Sequence, residues 1–383
     1  MIDFLCNYAV LKVIWWILLG CLFWGIAIAN GLDLGVACLV PSAFKTDEEK
    51  RILLNTVGPV WEGNQVWFIL GAGAIFAAWP PLYATIFSGL YIPLFAVLLG
   101  FMLRPVSFKF RAKINDPTWR KAWDIGMGLG GVLPAVGFGV LLGTLVSGLA
   151  FSFDDNMRLT VGGGLGSIMH PVPLVSAALW VLLFVNHGGL YLLIKTKDTV
   201  KDKVQRFLPT HLWLSCLAFF GLLWIWQVTI PDYVVIAQAD GPVNPFAKSI
   251  MLLDPKGTQS PLALPDLPWM LLSFLVFTFL TFLIRQTLKR HPMKAFILNA
   301  IRMGVVIVSM GAGAFPVILP STIDLQSSLT VWDASASRLT LLIMFVAAAI
   351  FVPIMVATAC WVYKVLRGPV TAQDIKKKSN ELY

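Results

Sequence analysis

The chain has 383 residues, of which 58% are hydrophobic and 13% charged, with a mean hydropathy of +0.79 and a formal charge of +9. Soluble domains average about 25% charged residues, so this composition excludes a soluble globular protein and defines a polytopic membrane protein. The excess positive charge lies in short clusters between apolar spans, not in a separate basic domain, which excludes nucleic acid as a partner and leaves membrane lipid.

A spanning helix needs about 20 apolar residues. The first apolar run has no basic stretch ahead of it, carries Lys12 within it and is followed by no small-residue cleavage site. It is expected to be a retained helix, not a signal peptide. In chain order, helices are predicted over about 9–40, 82–103, 123–146, 171–194, 207–229, 267–286, 295–318 and 339–363. One more is predicted from near Ile52 through "VWEGNQVWFIL", because the apolar run from Gln65 to Leu103 is too long for one helix. "AAWPPLYA" supplies the turn in its middle. The expectation is nine transmembrane helices in a single integral membrane domain over 1–383, with no separable soluble unit.

Lysine and arginine alternate between the two sets of loops. One set holds Lys45, Lys50 and Arg51, then Arg104 through Lys121, Lys195 through Arg206, Arg285 through Lys294, and the C-terminal lysines 376–378. The other holds Arg158, Lys248, Lys256 and Arg338 and is marked by Asp154, Asp155, Asp232, Asp240, Asp254 and Asp324. The positive-inside rule then sets the N-terminus outside and the C-terminus in the cytoplasm, which requires an odd number of spans. The loop over about 230–266 is rich in Pro, Gly and Asp and reads as the longest on the outer side.

Two acids fall within apolar spans, Asp33 in "ANGLDLG" and Glu62 in "VWEGNQVW". A carboxylate at membrane depth costs about 2.5–3.5 kcal/mol on insertion scales, so such a residue marks a functional site by default. Asn30 lies one turn before Asp33, and Gly31 with Gly35 forms a small-xxx-small pair that admits a neighbouring helix. On the next helix Asn55, Gly58, Glu62 and Gln65 are expected on one side, with Pro59 distorting that face. A buried Glu62 would exchange protons near neutral pH; the alternative is a structural acid hydrogen-bonded between helices.

Histidine is the usual haem ligand, and there are four: His170, His187, His211 and His291. Only His187, in "VNHGGLY", lies well inside a span, and no pair is spaced to clamp a haem, so no metal is expected on this chain alone. Cysteines 6, 21, 38, 216 and 360 form no CxxC pair and read as small core residues. Trp15, Trp16, Trp79, Trp119, Trp123 and Trp361 read as interfacial belts, whereas Trp61 and Trp67 flank Glu62. Arg302 is expected to snorkel to the cytoplasmic surface. These features allow either a proton-coupled secondary transporter or one half of a redox complex.

"WEGNQVW" followed by "FAAWPPLYATIFSGLY" resembles the signature block of subunit II of cytochrome bd-type ubiquinol oxidases. "FLCNYAVLKVIWWILLG", "NGLDLG", "LRPVSFKFRAKI", "FPVILPS", "SSLTVWDASASRLTL" and the closing "ELY" extend the resemblance along the whole chain. It implies an all-α fold of two four-helix bundles plus a peripheral ninth helix, in the bacterial cytoplasmic (inner) membrane. It implies a heterodimer with subunit I, often with a very small third subunit. Subunit I would carry two b-type haems, one d-type haem and the quinol-oxidising loop, with no catalytic residue on this chain alone. The complex would oxidise quinol and reduce oxygen to water, building a gradient with cytoplasmic protons and without pumping. Glu62 would lie near the subunit interface on a proton path shared with Asp33 and Asn30. Trp67 would lie near an oxygen entry path, with Trp61, Asn64 and Gln65 at the same interface. Some members hold a structural quinone in this subunit. The chain departs from the family at Asn30, where many members have a second acid, and at His187.

Overall fold

The computed structural model describes residues 7–162, 166, 168–237, 248–253, 267–371 and 373. Among them the chain forms α1 (Tyr8–Ser42), α2 (Asp47–Val57), α3 (Trp61–Ala78), α4 (Pro80–Gly89), α5 (Tyr91–Phe110) and α6 (Pro117–Ser147). Then come α7 (Pro171–Lys195), α8 (Asp198–Thr229), α9 (Leu267–Thr287), α10 (Pro292–Ala314) and α11 (Arg338–Val365). Three antiparallel hairpins pair β1 (Phe151–Phe153) with β2 (Leu159–Val161), β3 (Asp232–Ala237) with β4 (Ser249–Leu253), and β5 (Val317–Leu319) with β6 (Leu329–Thr330). The readings made at Cys6, Asp240, Asp254, Lys256, lysines 376–378 and "ELY" fall outside the described residues.

Local chemistry sets the helix ends. Thr46 and Glu49 close a reciprocal capping box at the start of α2. Asp116 accepts the Thr118 N–H ahead of Pro117, whose missing N–H costs nothing at a first helical position. Pro59 has no N–H to continue a helix, so the segment expected as one helix from Ile52 ends as α2 at Val57 and restarts as α3 at Trp61. The run expected over 82–103 is likewise interrupted at Leu90, between α4 and α5, and α5 continues to Phe110.

Eight helices, α1 and α5 through α11, are long and apolar enough to cross a membrane. The remaining predicted span corresponds to α3, an 18-residue helix that opens on Glu62, Asn64 and Gln65 and is not one of the eight.

α1 and α6 organise the packing. α6 lies against α1, α5 and α7, and α1 also against α3 and α7; α7, α8, α9 and α10 pack in sequence, and α10 returns to α7 and α1. Glycines permit the closest crossings. A Cβ at Gly35 would lie 1.8 Å from the Phe184 carbonyl oxygen, and one at Gly188 2.5 Å from the Val36 nitrogen, so the α1 and α7 backbones touch. α11 is peripheral: Leu341 is its one buried residue, and Ile343, Ile350, Phe351 and Ile354 are exposed. At the end rich in Lys and Arg, Asp124 pairs with Lys50 at 2.8 Å and Arg111 at 2.6 Å, and Glu49 with Lys203 at 2.6 Å. At the opposite end Lys248 pairs with Asp333 at 2.5 Å, and Lys12 donates to the Trp332 carbonyl.

The two glycines singled out on α1 are not equivalent. A Cβ at Gly31 meets the Phe184 ring at 2.9 Å, a side chain that can shift, whereas at Gly35 it meets backbone. Gly35→Ala is therefore expected to cut the yield of folded complex from membranes several-fold, beyond the ~1–3 kcal/mol of ordinary overpacking. Gly31→Ala is expected to assemble with a modest drop in melting temperature; fluorescence-detected size exclusion after heating measures both.

Candidate functional site

Asn30 and Asp33 are both buried, one turn apart on α1. The Asp33 carboxylate faces the Arg104 guanidinium of α5 at 3.4 Å, with both side chains 1% exposed. Gly130 of α6 leaves room for this arginine, since a Cβ there would lie 3.0 Å from the Arg104 Cβ. The guanidinium sits 5.6 Å from the Trp61 ring centroid and 5.9 Å from that of Phe101, a geometry suited to cation–π attraction. Trp61 itself stacks on Phe108 at 5.8 Å.

Asn64 of α3 is buried beside Asp33, and its Oδ1 accepts a 2.9 Å hydrogen bond from the Tyr363 hydroxyl of α11. Tyr191 of α7 also lies near Asp33 and donates to the Thr56 carbonyl at 3.1 Å. In this chamber, beyond the 3.4 Å ion pair, both ends of the Asn30 amide, both Asp33 oxygens, all three Arg104 nitrogens and Asn64 Nδ2 make no hydrogen bond of good geometry within the protein. Buried polar groups are hydrogen-bonded as a rule, and such a cluster is the kind that ordered water satisfies.

Glu62 does not join this chamber. It lies in the first turn of α3, where the helix dipole favours a carboxylate, and is exposed. Its neighbours on the exposed stripe are Gly63, Val66, Ile69, Gly73 and Phe76. Asn55 is buried on α2 and donates to the Arg51 carbonyl, so the expected common face of Asn55, Gly58, Glu62 and Gln65 does not form. Breaking the helix at Pro59 is the cause. Gln65 is half-buried, and the Trp67 ring packs on α1, where it would meet a Cβ at Gly25 at 2.7 Å.

A second buried polar cluster joins α7, α8, α9 and α10. Arg302 is fully buried and donates to Asn299 Oδ1 at 2.6 Å and Thr281 Oγ1 at 2.9 Å, with Phe277 under its guanidinium at 4.9 Å. It does not snorkel: its side chain turns into the bundle because Asn299 and Thr281 supply acceptors there. The Asn299 amide nitrogen faces His187 Nδ1 at 3.1 Å, and the imidazole stacks on Phe296 at 4.1 Å. With Asn299 Oδ1 taken by Arg302, the Asn299 amide nitrogen is left to donate to His187 Nδ1.

No two of the four histidines face one another across a space for a haem. His187 is held in that cluster, His170 caps α7, His211 meets the Phe207 carbonyl and His291 precedes α10. Among the described residues no group of three or more His, Cys, Asp or Glu is arranged for a metal ion. An apolar groove of about 930 Å³ runs between α1, α6, α9 and α10, lined by Trp16, Cys21, Trp24, Trp269 and Phe315 among others. It fits an apolar chain, and a smaller chamber of about 200 Å³ sharing Leu145, Val146 and Phe315 adds Asp232 and Tyr233 at one end.

Arg104, Tyr191 and Tyr363 are chamber residues that sequence reasoning missed. Arg104 stands at the end of an apolar run, where it reads as a loop cation, and only Asp33 at a matching depth hints otherwise.

Apolar helices enclosing a buried ion pair and a cluster of buried polar groups define a multi-pass membrane protein with a polar site inside its helices. The chain matches the family described as cytochrome bd terminal oxidase subunit II over residues 11–366, and it belongs to that family. It is 35% identical over 379 residues to a "probable cytochrome oxidase subunit 2" of Haemophilus influenzae, covering 98% of this chain and 100% of that one. It is 33% identical over 387 residues to the cytochrome bd-I ubiquinol oxidase subunit 2 of Escherichia coli (strain K12), with the same coverage. A chain in the structure of bd oxidase from Geobacillus thermodenitrificans shares the fold, with a TM-score of 0.61 at 11% identity, covering 93% of this chain and 99% of that one. This chain is thus a terminal-oxidase subunit of the bacterial inner membrane, and the transporter alternative is set aside.

Removing one member of a buried ion pair strands the other and typically costs about 3–5 kcal/mol. Asp33→Asn is therefore expected to destabilise the complex more than Arg104→Met, because a stranded buried arginine keeps its charge whereas a stranded carboxyl can take up a proton. The double variant is expected to recover part of the loss. Melting temperatures of the four purified complexes measure this.

Proposed function

We propose that this chain pairs with subunit I of a quinol oxidase and supplies that complex with a proton-handling wall. Subunit I holds two b-type haems and one d-type haem, and a very small third subunit completes some assemblies. Two quinols are oxidised and one oxygen is reduced to two waters, with protons drawn from the cytoplasm and none pumped. The haems supply the electron and oxygen chemistry. This chain's residues shape the interface and the water around it.

The observation that carries this reading is Glu62, exposed on a stripe of α3 otherwise made of Gly, Val, Ile and Phe. A carboxylate facing lipid there would carry an insertion cost of about 2.5–3.5 kcal/mol; facing a partner subunit, it gains a polar or hydrated surface. Gly63 and Gly73 on the same stripe have nothing within 4 Å of a built Cβ, so a partner helix can come close. α5 adjoins through Phe68 and Phe101 and adds exposed Tyr91, Phe95, Leu98 and Met102 to the same docking face. Gln65 lies at the edge of this face, and Trp67 bounds the oxygen path beside it.

In this reading α3, about 27 Å long at 1.5 Å per residue against a core of about 30 Å, is the ninth span. α1, α3, α5 and α6 make one four-helix bundle, α7 through α10 the other, and α11 is the peripheral helix. The N-terminus is outside and the C-terminus in the cytoplasm. Asp33 and Asn30 hold water inside the first bundle, and Glu62 exchanges protons at the surface of α3. A structural quinone, where present, lays its isoprenoid tail in the groove between α1, α6, α9 and α10.

Glu62→Asp is expected to retain partial activity. Glu62→Gln keeps size and hydrogen bonding but exchanges no proton, and quinol-driven oxygen uptake per haem d is expected to fall toward the ~100-fold typical of a lost proton-transfer group. Haem content stays normal in that case. A Gln variant with wild-type turnover at every pH removes Glu62 from the proton path.

A further inference from the structure

α11 is the least buried of the eight candidate spanning helices, yet one of its side chains reaches the Asp33 chamber. Leu341 near its start is its one buried residue, and the following turns present Ile343, Ile350, Phe351 and Ile354 outward. Tyr363, in the last turn, breaks that pattern. Its ring is half-buried, and its hydroxyl enters the bundle to donate to Asn64 Oδ1 at 2.9 Å. The chain just beyond is pinned: Lys195 Nζ donates to the Leu366 and Gly368 carbonyls, and the Val370 N–H to the Lys195 carbonyl.

An amide has one acceptor end and one donor end. With Oδ1 of Asn64 taken by a phenol, its Nδ2 must point the other way, toward the chamber, where it has no direct protein partner. The groups around that position are the Asp33 carboxylate from α1, the Arg104 guanidinium from α5 and the Tyr191 phenol from α7. A phenol stays protonated across the physiological range, so Tyr363 is a permanent donor for this purpose. Without its hydroxyl, Asn64 is free to flip and turn a carbonyl oxygen toward the Asp33 carboxylate, which repels it and displaces the water between them.

We propose that Tyr363 is a positioning residue for the proton-handling chamber. Its hydroxyl fixes the orientation of Asn64, so that the amide donates to Asp33 and its water, and its ring closes the chamber where α11 crosses α3. This rests on the chamber reading above and assigns to the C-terminal helix a part in turnover that its lipid-exposed surface conceals. Tyr363 passes no proton on and touches no substrate; it acts through Asn64.

A double-mutant cycle in the intact complex tests this. Tyr363→Phe, Asn64→Ala and the double variant are compared by quinol-driven oxygen uptake per haem d, haem content and melting temperature, with Asp33→Asn as control. Each single change is expected to lower turnover per haem d by about 10-fold, less than the ~100-fold or more of a lost proton-transfer group. The double variant is expected to be no slower than either single, because both remove the same contact. Haem content stays at the wild-type level. Wild-type turnover in Tyr363→Phe overturns the proposal, as do losses that multiply in the double variant. A slowing of Tyr363→Phe that only tracks lost haem or early melting overturns it too, showing a plain anchor. If Asp33→Asn is slow while Tyr363→Phe is normal, only the role of Tyr363 fails. If Asp33→Asn keeps wild-type turnover, the chamber reading itself fails.

Discussion

The packing of α1, α3 and α5 is built around a charge pair in a place that penalises charge. Asp33 and Arg104 are each 1% exposed and 3.4 Å apart, on helices that read as membrane spans. Desolvating two ions costs several kcal/mol each, and mutual attraction repays that only when the remaining lone pairs and N–H groups find partners. The surrounding residues supply few. Trp61 and Phe101 offer ring faces to the guanidinium, while Asn30, Asn64 and the pair itself keep unpartnered polar atoms. Ordered water inside the chamber would satisfy those atoms, and the proton-handling wall proposed above requires it.

The same segment of α1 meets two different demands on two faces. Gly31 and Gly35 let α7 press against its backbone, while Asp33 faces α3 and α5. The close crossing fixes the position of α1, and with it the carboxylate, to within what a backbone contact allows. In the second bundle a cation is handled differently. Arg302 shares hydrogen bonds with Asn299 and Thr281, and the network ends at His187 stacked on Phe296. Arg104 is held against an acid; Arg302 is held in a packed amide and hydroxyl network.

Long apolar runs and alternating basic clusters were enough to read a many-spanned helical protein from the sequence, because hydropathy over twenty residues is a strong signal. Helix breaks were harder. Pro59 announced a distortion, but not that α2 would end there and turn Asn55 inward while Glu62 faces out. Acids inside spans stood out; their partners did not. Arg104 and Arg302 sit near span ends, where a cation reads as snorkelling, and whether it turns inward depends on acceptors contributed by other helices. Tyr363 gave no signal, since a tyrosine near a span end is what an interfacial belt supplies. The family resemblance rested on ordered blocks such as "WEGNQVW".

The central claim is that the chamber around Asp33 is wet. The most direct test is a density map of the assembled oxidase at a resolution that shows bound water. Ordered waters within hydrogen-bond distance of Asp33, Asn30, Arg104 and Asn64 Nδ2 are the predicted result. A dry chamber, in which side chains close over Asp33 and satisfy one another directly, would contradict the account.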